Sequence, residues 1–408
     1  MERGGGNRGG HQPEGPGVYP RSTAVSTPRP PFGNALLRRA AAVHTRGMIF
    51  TQNARQPFSA PLESLRTALA DLADATNHAG PWHSGAFRTV VESGLLAGFI
   101  GSDDGGLGAS EAALLSALEG VAAGCLTTAL VLTQWASACR IIATGSAELR
   151  ARMLPALASG QQTTTVGVAQ LTTSRRHLAG PALQASALDG TWRLDGTCPW
   201  VTGADSSDSL VTGALTAAGE ALFFVVPTAA AGLVISPPMR MLALSGSRTA
   251  SIRFSAVEPA AVIVPHAHTP PRAGGLATTA LAIGATRGSV AILDREAKGR
   301  PAIGPVAQGF RDEAAALAAR LAALANRAES DHEDPSAPAD RDGLRTAANG
   351  LVVRAAQAAL TASKGAGFIA GHPAERAVRE AMLFLVWSCP QQVATAMLCE
   401  LAHLDSPP

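Results

Sequence analysis

The spacing of hydrophobic residues changes twice along this chain of 408 residues, and the two changes divide it into three parts. Beyond residue 58, apolar residues recur every three or four positions, which is the spacing of one buried helix face. Leu62, Leu65, Leu69 and Leu72 begin this pattern, and Pro61 suits the first turn of the helix that they predict. Further helices are predicted over residues 111–123, 127–144 and 147–158. The first third of the chain is therefore expected to be a helical unit.

Short β-prone segments, separated by turn residues, follow between residues 163 and 264. Strands are predicted over residues 163–170, 191–194, 222–226, 233–236 and 249–254. The last of these segments alternates cleanly between apolar and polar residues, which is typical of a half-buried strand. This middle part is expected to form a small antiparallel sheet.

Helical spacing returns at residue 276 and continues toward the end of the chain. A helix over residues 276–295 is followed by an apolar seam that comprises Phe310, Ala314, Leu317, Leu321 and Leu324. After a polar loop at residues 329–342, two more helices are predicted over residues 344–364 and 373–402. Helices of this length joined by short loops pack as a bundle.

The order of helices, sheet and helices predicts an α+β fold. An N-terminal helical domain is expected over residues 56–160, a middle antiparallel β domain over 161–268, and a C-terminal four-helix bundle over 269–408. Residues 1–55 are rich in Gly, Pro and Arg, so we expect a disordered extension there. Met48 opens a more ordinary sequence and is a hypothetical alternative start.

Composition excludes several classes of function. The chain is 46% hydrophobic and can bury a large core, while its net charge of +2 gives no electrostatic signature for nucleic acid or an anionic membrane. The five cysteines are odd in number and form no C-x-x-C pair, which argues against a disulfide framework or a zinc site and favours the cytoplasm. No uninterrupted apolar run reaches the roughly 20 residues that span a bilayer, so no membrane span is expected.

Four stretches of sequence carry a more specific signal. They are DGGLG at residues 104–108, LDGTCPWVTG at 194–203, LSGSRTASIRF at 244–254, and KGAGF at 364–368 with HPAER and REA after it. In this order and over most of residues 59–401, the chain resembles the acyl-CoA dehydrogenase superfamily. The resemblance implies the fold of that family and a flavin cofactor, FAD first, with FMN or a reduced flavin as alternatives.

In the family, the tryptophan of the second stretch packs near the isoalloxazine ring and the hydroxyl residue after it bonds near flavin N5. The resemblance therefore gives these roles to Trp200 and Thr202. It also implies that Gln170 and Thr172 contact the flavin edge, and that Arg295 contacts the cofactor's diphosphate. An aromatic wall and a few placed donors suit a flat, amphipathic ring.

The glycines of the fourth stretch let the backbone approach the cofactor of a neighbouring subunit in the family. Gly365 and Gly367 therefore imply a homodimer or homotetramer. Pro390 and Gln391 are assigned to the cofactor by the same resemblance. The loop that normally holds phosphate and thioester carries basic residues instead, and its guanidinium groups are predicted to bind a pyrophosphate or an anionic substrate tail. These residues are Arg175 and Arg176.

The reaction that the resemblance implies is oxidation of the Cα–Cβ bond of an acyl-CoA or acyl-carrier thioester. Hydride passes to flavin N5, and an electron-transfer flavoprotein accepts the electrons. The family's catalytic glutamate, however, falls on Ser388, whose hydroxyl is a much weaker base than a carboxylate. The alternative position on an earlier helix carries no glutamate either, because Asp294 is the only acidic residue in residues 276–295.

Two other functions remain open at this stage. A two-component monooxygenase or N-oxygenase on the same fold receives reduced flavin from a separate flavin reductase and needs no base for an α-proton. Lys298 stands where the family has an aromatic residue in the cofactor clamp, which also favours loosely held flavin. A non-catalytic member of the family is the third reading. No metal site is expected.

Overall fold

The computed structural model describes residues 59–77, 84–172, 182–265, 275–328, 337–387 and 389–404. These residues belong to one unit, Asn53–Pro408. The predicted N-terminal extension, Met48, Arg175, Arg176 and Ser388 lie outside the described residues.

The first part of the described chain is helical, as the sequence predicts. Its helices are α1 (Ser59–Asn77), α2 (Ser84–Glu92), α3 (Leu95–Gly98), α4 (Glu111–Gly124), α5 (Leu126–Ala143) and α6 (Ala147–Ala158). The α4 helix begins after Ser110, whose hydroxyl accepts a hydrogen bond from the Ala113 N–H, and α6 begins in the same way after Ser146. These two caps explain why the predicted helix starts are accurate to the residue.

The middle part forms one sheet. Its strands are β1 (Thr164–Gly167), β2 (Gln184–Leu188), β3 (Thr191–Val201), β4 (Ser209–Thr216), β5 (Ala221–Pro227), β6 (Leu233–Ile235), β7 (Ala250–Val257) and β8 (Ala261–Ile263), with a one-turn helix α7 (Ala169–Thr172) after β1. The strand order is β6-β7-β3-β2-β4-β5-β8, and β1 pairs with β4. The sheet is mixed rather than antiparallel, because β4 pairs with β1 and β2 in parallel.

Three of these strands were missing from the sequence prediction. β2 buries a single residue of five, and the first six residues of β4 are all buried, so neither strand shows a period of two. β8 has three residues. Strand direction is a matter of long-range pairing, which periodicity does not encode.

The last part begins with three long helices, α8 (Leu276–Ala297), α9 (Gly304–Ala328) and α10 (Ala337–Ser363). The predicted seam lies on α9, where Ala314, Leu317, Leu321 and Leu324 are buried. The predicted fourth helix is broken into α11 (Pro373–Ala381), α12 (Leu383–Val386) and α13 (Gln391–Ala402). Pro390 has no N–H to donate and restricts the residue before it, which accounts for one of the two breaks.

Two of the described helices, α5 and α8, are long and apolar enough to cross a membrane by length and composition. The expectation that the chain has no membrane span stays a prediction. Both helices are mostly buried, because they form the centre of the largest hydrophobic cluster. Core helices of this kind pass the same test as membrane spans.

The α4 and α8 helices cross in very close contact. A Cβ built on Gly284 of α8 would lie 2.3 Å from the Glu119 carbonyl oxygen and 2.7 Å from the Ala122 Cβ. One turn later, a Cβ on Gly288 would lie 3.2 Å from the Ala123 carbonyl oxygen. Beside the crossing, Glu119 pairs with Arg287, and burial raises the pKa of the Glu119 carboxyl against the opposing effect of that arginine.

Replacing Gly284 with alanine is expected to destabilise the protein by about 1–3 kcal/mol, because the added methyl group meets backbone that cannot move aside. The matched control is Gly309→Ala on the exposed face of α9, where a Cβ meets nothing within 4 Å. That variant should gain about 0.5–1 kcal/mol from helix propensity. Equilibrium unfolding in urea measures the free energy of unfolding of both variants. Equal stability of the two would contradict the close crossing of the helices.

Candidate functional site

Trp200 lies one residue before the end of β3, on a β-bulge. The β3–β7 pairing shifts register between Cys198 and Val201, so one extra residue is accommodated there. Trp200 has φ 58°, a left-handed conformation that is costly for a bulky side chain, and its side chain is exposed, with a relative accessibility of 55% for the residue. A bulge redirects a side chain away from the alternation of the strand. The indole is therefore displayed at the surface of the described chain instead of packing in the sheet core.

A cluster of buried hydroxyl groups lies directly behind this bulge. The Thr202 Oγ1 is 3.1 Å from the Thr249 Oγ1, which is in turn 2.9 Å from the Ser247 Oγ. From β1, the Thr165 hydroxyl donates to the Thr202 carbonyl over 2.7 Å. All four residues are buried. We call Thr202, Thr249 and Ser247 the hydroxyl cluster; its three hydroxyls have three protons and use two of them between one another.

Gln170, which the sequence predicts at the flavin edge, is buried and hydrogen-bonded inside the sheet. Its amide nitrogen donates to the Gly213 carbonyl at 2.5 Å, and its amide oxygen accepts from the Cys198 thiol at 3.2 Å. The residue is 2% exposed, and both ends of the amide are occupied inside the sheet. The structure therefore makes Gln170 a brace between α7 and the sheet, because a buried amide must satisfy its own hydrogen bonds first. Thr172 ends α7, and its side chain is outside the described part.

The two predicted glycines differ in what their surroundings require. They lie in the short 3-10 turn Lys364–Phe368 between α10 and α11. A Cβ on Gly367 would lie 2.6 Å from the Ser363 Cβ, so the turn itself requires that glycine. A Cβ on Gly365 would meet nothing within 4 Å, and the residue has no positive φ. Within the described chain nothing requires a glycine at 365.

Arg295 lies exposed in the last turn of α8, near the same end of the bundle. Arg300 follows it and is already engaged, because its guanidinium bonds to Glu296 and to the Ala362 carbonyl. Glu296 is inside α8, which runs two residues further than predicted. The other acidic residue of this helix end, Asp294, is bonded to Arg311 by both carboxylate oxygens at 2.7 and 2.8 Å.

Two buried side chains bind the backbone just before residue 388. This is the position to which the sequence resemblance assigns the family's catalytic glutamate. Asn349 of α10 donates through Nδ2 to the Phe384 carbonyl at 2.8 Å and accepts from the Arg345 Nε at 2.9 Å. Arg345 reaches the Trp387 carbonyl with Nη2 at 3.3 Å. Neither residue stood out in the sequence, because a polar side chain inside a helical pattern normally faces solvent.

Arg345 is 1% exposed, and its Nη1 has no hydrogen-bond partner within the described chain. Burial lowers the pKa of its guanidinium to about 10, with the Cys389 thiol acting in the opposite direction. Burial likewise raises the pKa of the Cys389 thiol, and the Arg345 charge opposes that rise. After this loop, Pro390 caps α13, and the Gln391 side chain bonds to Thr395 at 3.3 Å.

The basic and acidic residues of α11 tie the bundle to the rest of the molecule. Arg376 forms an ion pair with Asp74 of α1 and lies 4.0 Å from the buried Glu380. Arg379 donates to the Leu242 carbonyl at 3.1 Å, in the segment that leads into the hydroxyl cluster. The sequence motif around these residues is thus accounted for by packing between the parts of the fold.

This fold of helices, mixed sheet and helical bundle is that of a known class of enzymes. Residues 61–161 match the family model described as acyl-CoA dehydrogenase, N-terminal domain. This match shows that residues 61–161 are similar to the N-terminal domain of acyl-CoA dehydrogenases, and the solved structures described below show that the chain has the fold of those enzymes. No curated protein matches the sequence.

Several solved structures share the fold at low sequence identity. Butyryl-CoA dehydrogenase from Megasphaera elsdenii superposes with a TM-score of 0.71 at 17% identity, over 86% of this chain and 99% of its own. FMN-bound TdsC from Paenibacillus sp. A11-2, a dibenzothiophene monooxygenase, gives 0.70 at 18% identity, over 85% and 98%. KijD3 in complex with FMN and a dTDP-linked amino sugar gives 0.67 at 16%, over 87% and 97%. The fold thus serves both dehydrogenases and monooxygenases.

Removal of the Asn349 side chain by an Asn349→Ala substitution is expected to cost about 2–4 kcal/mol, because it leaves the Arg345 Nε and the Phe384 carbonyl without their buried partners. Thr346→Ala is the matched control on the same helix, since its hydroxyl bonds only to the Asp342 carbonyl one turn away. The control should lose less than about 1 kcal/mol. Chemical denaturation measures the free energy of unfolding of both variants. Similar losses in the two would mean that Asn349 does not hold the segment before position 388.

Proposed function

We propose that this chain is a flavin-dependent oxidoreductase that binds the ring of its cofactor against Trp200 and Thr202. The observation that carries the proposal is the exposed indole on a left-handed bulge, two residues before a buried hydroxyl cluster with one unused proton. A flat tricyclic ring offers two apolar faces and polar atoms along its edge. It therefore needs an aromatic wall and a placed donor, and this end of β3 supplies both.

The turn at Gly365 is the feature of the chain that supports an oligomer. Its bare backbone, which no neighbour among the described residues requires, suits close approach to a cofactor that a second subunit holds. We therefore propose a homodimer or homotetramer. Exposed Arg295 is proposed to meet phosphate of the cofactor, and Arg175 and Arg176 an anionic part of cofactor or substrate. Thr172, Pro390 and Gln391 stay predictions.

The residues of the chain would bind and orient, while the flavin, when bound, supplies the exchange of electrons with the substrate or with oxygen. Trp200 would cover one face of the ring and exclude water from it. The hydroxyl of Thr202 would donate to an acceptor atom on the ring edge. Gln170 would support this arrangement from inside the sheet without touching the ring.

Of the reactions that the sequence leaves open, we propose oxygenation with reduced flavin delivered by a separate reductase. An α,β-dehydrogenase needs a carboxylate to take the α-proton, and residue 388 is a serine. Near the end of α8, both carboxylates are held by arginines, Asp294 by Arg311 and Glu296 by Arg300. Oxygenation requires no such base, and FMN-bound TdsC shares the fold.

Oxidation of an acyl-CoA or acyl-carrier thioester is the second candidate, with an electron-transfer flavoprotein as acceptor. The match of residues 61–161 to the N-terminal domain of acyl-CoA dehydrogenases favours it. This candidate would need a base other than the residue at 388.

A Trp200→Ala variant is expected to bind flavin roughly tenfold more weakly than the wild type, because loss of the aromatic wall removes about 1–2 kcal/mol of contact. Trp200→Phe keeps an aromatic face and should lose less than about threefold. Quenching of flavin fluorescence during titration with FMN and with FAD measures both variants and identifies the preferred cofactor. If wild-type protein binds neither flavin, the proposal fails and the non-catalytic reading takes its place.

Anaerobic titrations separate the two reactions. An oxygenase supplied by a reductase is expected to bind reduced FMN at least about tenfold more tightly than oxidised FMN, and butyryl-CoA should not bleach its bound flavin. Bleaching of wild-type protein by butyryl-CoA would overturn oxygenation in favour of the dehydrogenase. Ser388→Glu restores the family's carboxylate, so bleaching by this variant alone would mean that the pocket admits a thioester and lacks only the base.

A further inference from the structure

The hydroxyl cluster allows the direction of its protons to be worked out. Each of the three hydroxyls has one proton to donate, and two contacts link them, between Ser247 and Thr249 and between Thr249 and Thr202. One proton must therefore point out of the cluster. Among the described residues, no other acceptor bonds to any of the three hydroxyls.

The oxygen positions are fixed, so proton direction is the only freedom that remains. The Ser247 carbonyl accepts from the Gly203 N–H at 2.9 Å, and Thr165 holds the Thr202 carbonyl. Before Ser247, a Cβ on Gly246 would lie 1.5 Å from the Thr76 carbonyl oxygen, so the turn packs directly against the end of α1. After it, Arg248 has φ 50° and its Nε donates to Asp205 at 2.8 Å. Hydrogen bonds or close packing with residues outside the cluster thus hold each backbone segment that carries one of the three hydroxyls.

Burial decides which end of the cluster carries the unused proton. Ser247 is 0% exposed, and a proton directed outward from its hydroxyl would be a buried donor without an acceptor, at a cost of about 1–3 kcal/mol. Thr202 is two residues from the exposed Trp200, so a ring bound against Trp200 would give the proton of the Thr202 hydroxyl an acceptor, which neither Ser247 nor Thr249 has outside the cluster among the described residues. The favoured order is therefore that Ser247 donates to Thr249, and Thr249 donates to Thr202.

We propose that Ser247 and Thr249 are positioning residues, which orient the Thr202 hydroxyl so that its proton points to an acceptor atom of the ring bound against Trp200. The inference rests on the proposed function. Hydrogen bonds in a chain polarise one another, so donation from Thr249 strengthens the Thr202 hydroxyl as a donor. Without that donation, the hydroxyl is free to turn its proton inward.

The test replaces the three residues of the hydroxyl cluster one at a time, in order of increasing distance from the proposed ring. Thr202→Val, Thr249→Val and Ser247→Ala each remove one hydroxyl, and only the first removes a group that would contact the ring. Thr164→Val is the matched control, because Thr164 is equally buried on β1 but its hydroxyl bonds with Ser209. Thr249→Ser keeps the hydroxyl and is the rescue variant.

Fluorescence titration with FMN gives the affinity of each variant, and the absorption spectrum of the bound flavin reports hydrogen bonding to its ring. Thr249→Val is expected to weaken binding about 3–10-fold and to shift the flavin band toward that of Thr202→Val. Ser247→Ala should give a smaller change in the same direction, while Thr249→Ser and Thr164→Val resemble the wild type. Urea unfolding shows whether each variant is folded.

If Thr249→Val binds FMN like Thr164→Val while Thr202→Val is weakened, the positioning role is refuted and the proposed flavin site remains. If Thr249→Val does not fold, Ser247→Ala and Thr249→Ser decide the matter through the same spectral comparison. Absence of flavin binding by wild-type protein would overturn the inference together with the proposed function, and the first titration reveals that case.

Discussion

The close crossing of α4 and α8 holds the molecule together, since it joins the helices that precede the sheet to the bundle that follows it. Gly284 brings two backbones within contact distance, and a single hydrophobic cluster extends from this crossing in both directions. The cluster contains Leu118 of α4 and Ile283 of α8, and also Val211 and Val225 of the sheet. The sheet therefore shares a hydrophobic core with the helices through β4 and β5.

The candidate site depends on that rigidity. A left-handed tryptophan persists only where the surrounding structure over-determines the backbone, and here β3 is held by β2 on one side and β7 on the other. Arg379 adds a bond from the bundle to the Leu242 carbonyl, in the segment that leads to Ser247. This hydrogen bond thus joins α11 to the segment that precedes the hydroxyl cluster.

Local patterns in the sequence predict the helices well and the sheet only in part. The seam from Ala314 to Leu324 and the caps at Ser110 and Ser146 are local signals, so helix positions follow from them. β4 is buried on both faces and lacks alternation, and its parallel partners are far away in sequence. Trp200 and Thr202 could be singled out because a motif carries them. Ser247 and Thr249 also lie in such a motif, but the sequence gives them no role, and Arg345 and Asn349 lie in none, because the partners of all four residues are brought together only by folding.

The bulge at Trp200 also has an optical consequence. Trp135 is buried, Trp192 and Trp387 are half-buried, and Trp200 is the exposed tryptophan of the described chain. An indole in water emits at longer wavelength than one in a protein core, so among the described tryptophans Trp200 contributes most to the red edge of the intrinsic emission. Trp200 is therefore an intrinsic fluorescence probe of the end of β3. A molecule that covers this indole is expected to shift the emission to shorter wavelength.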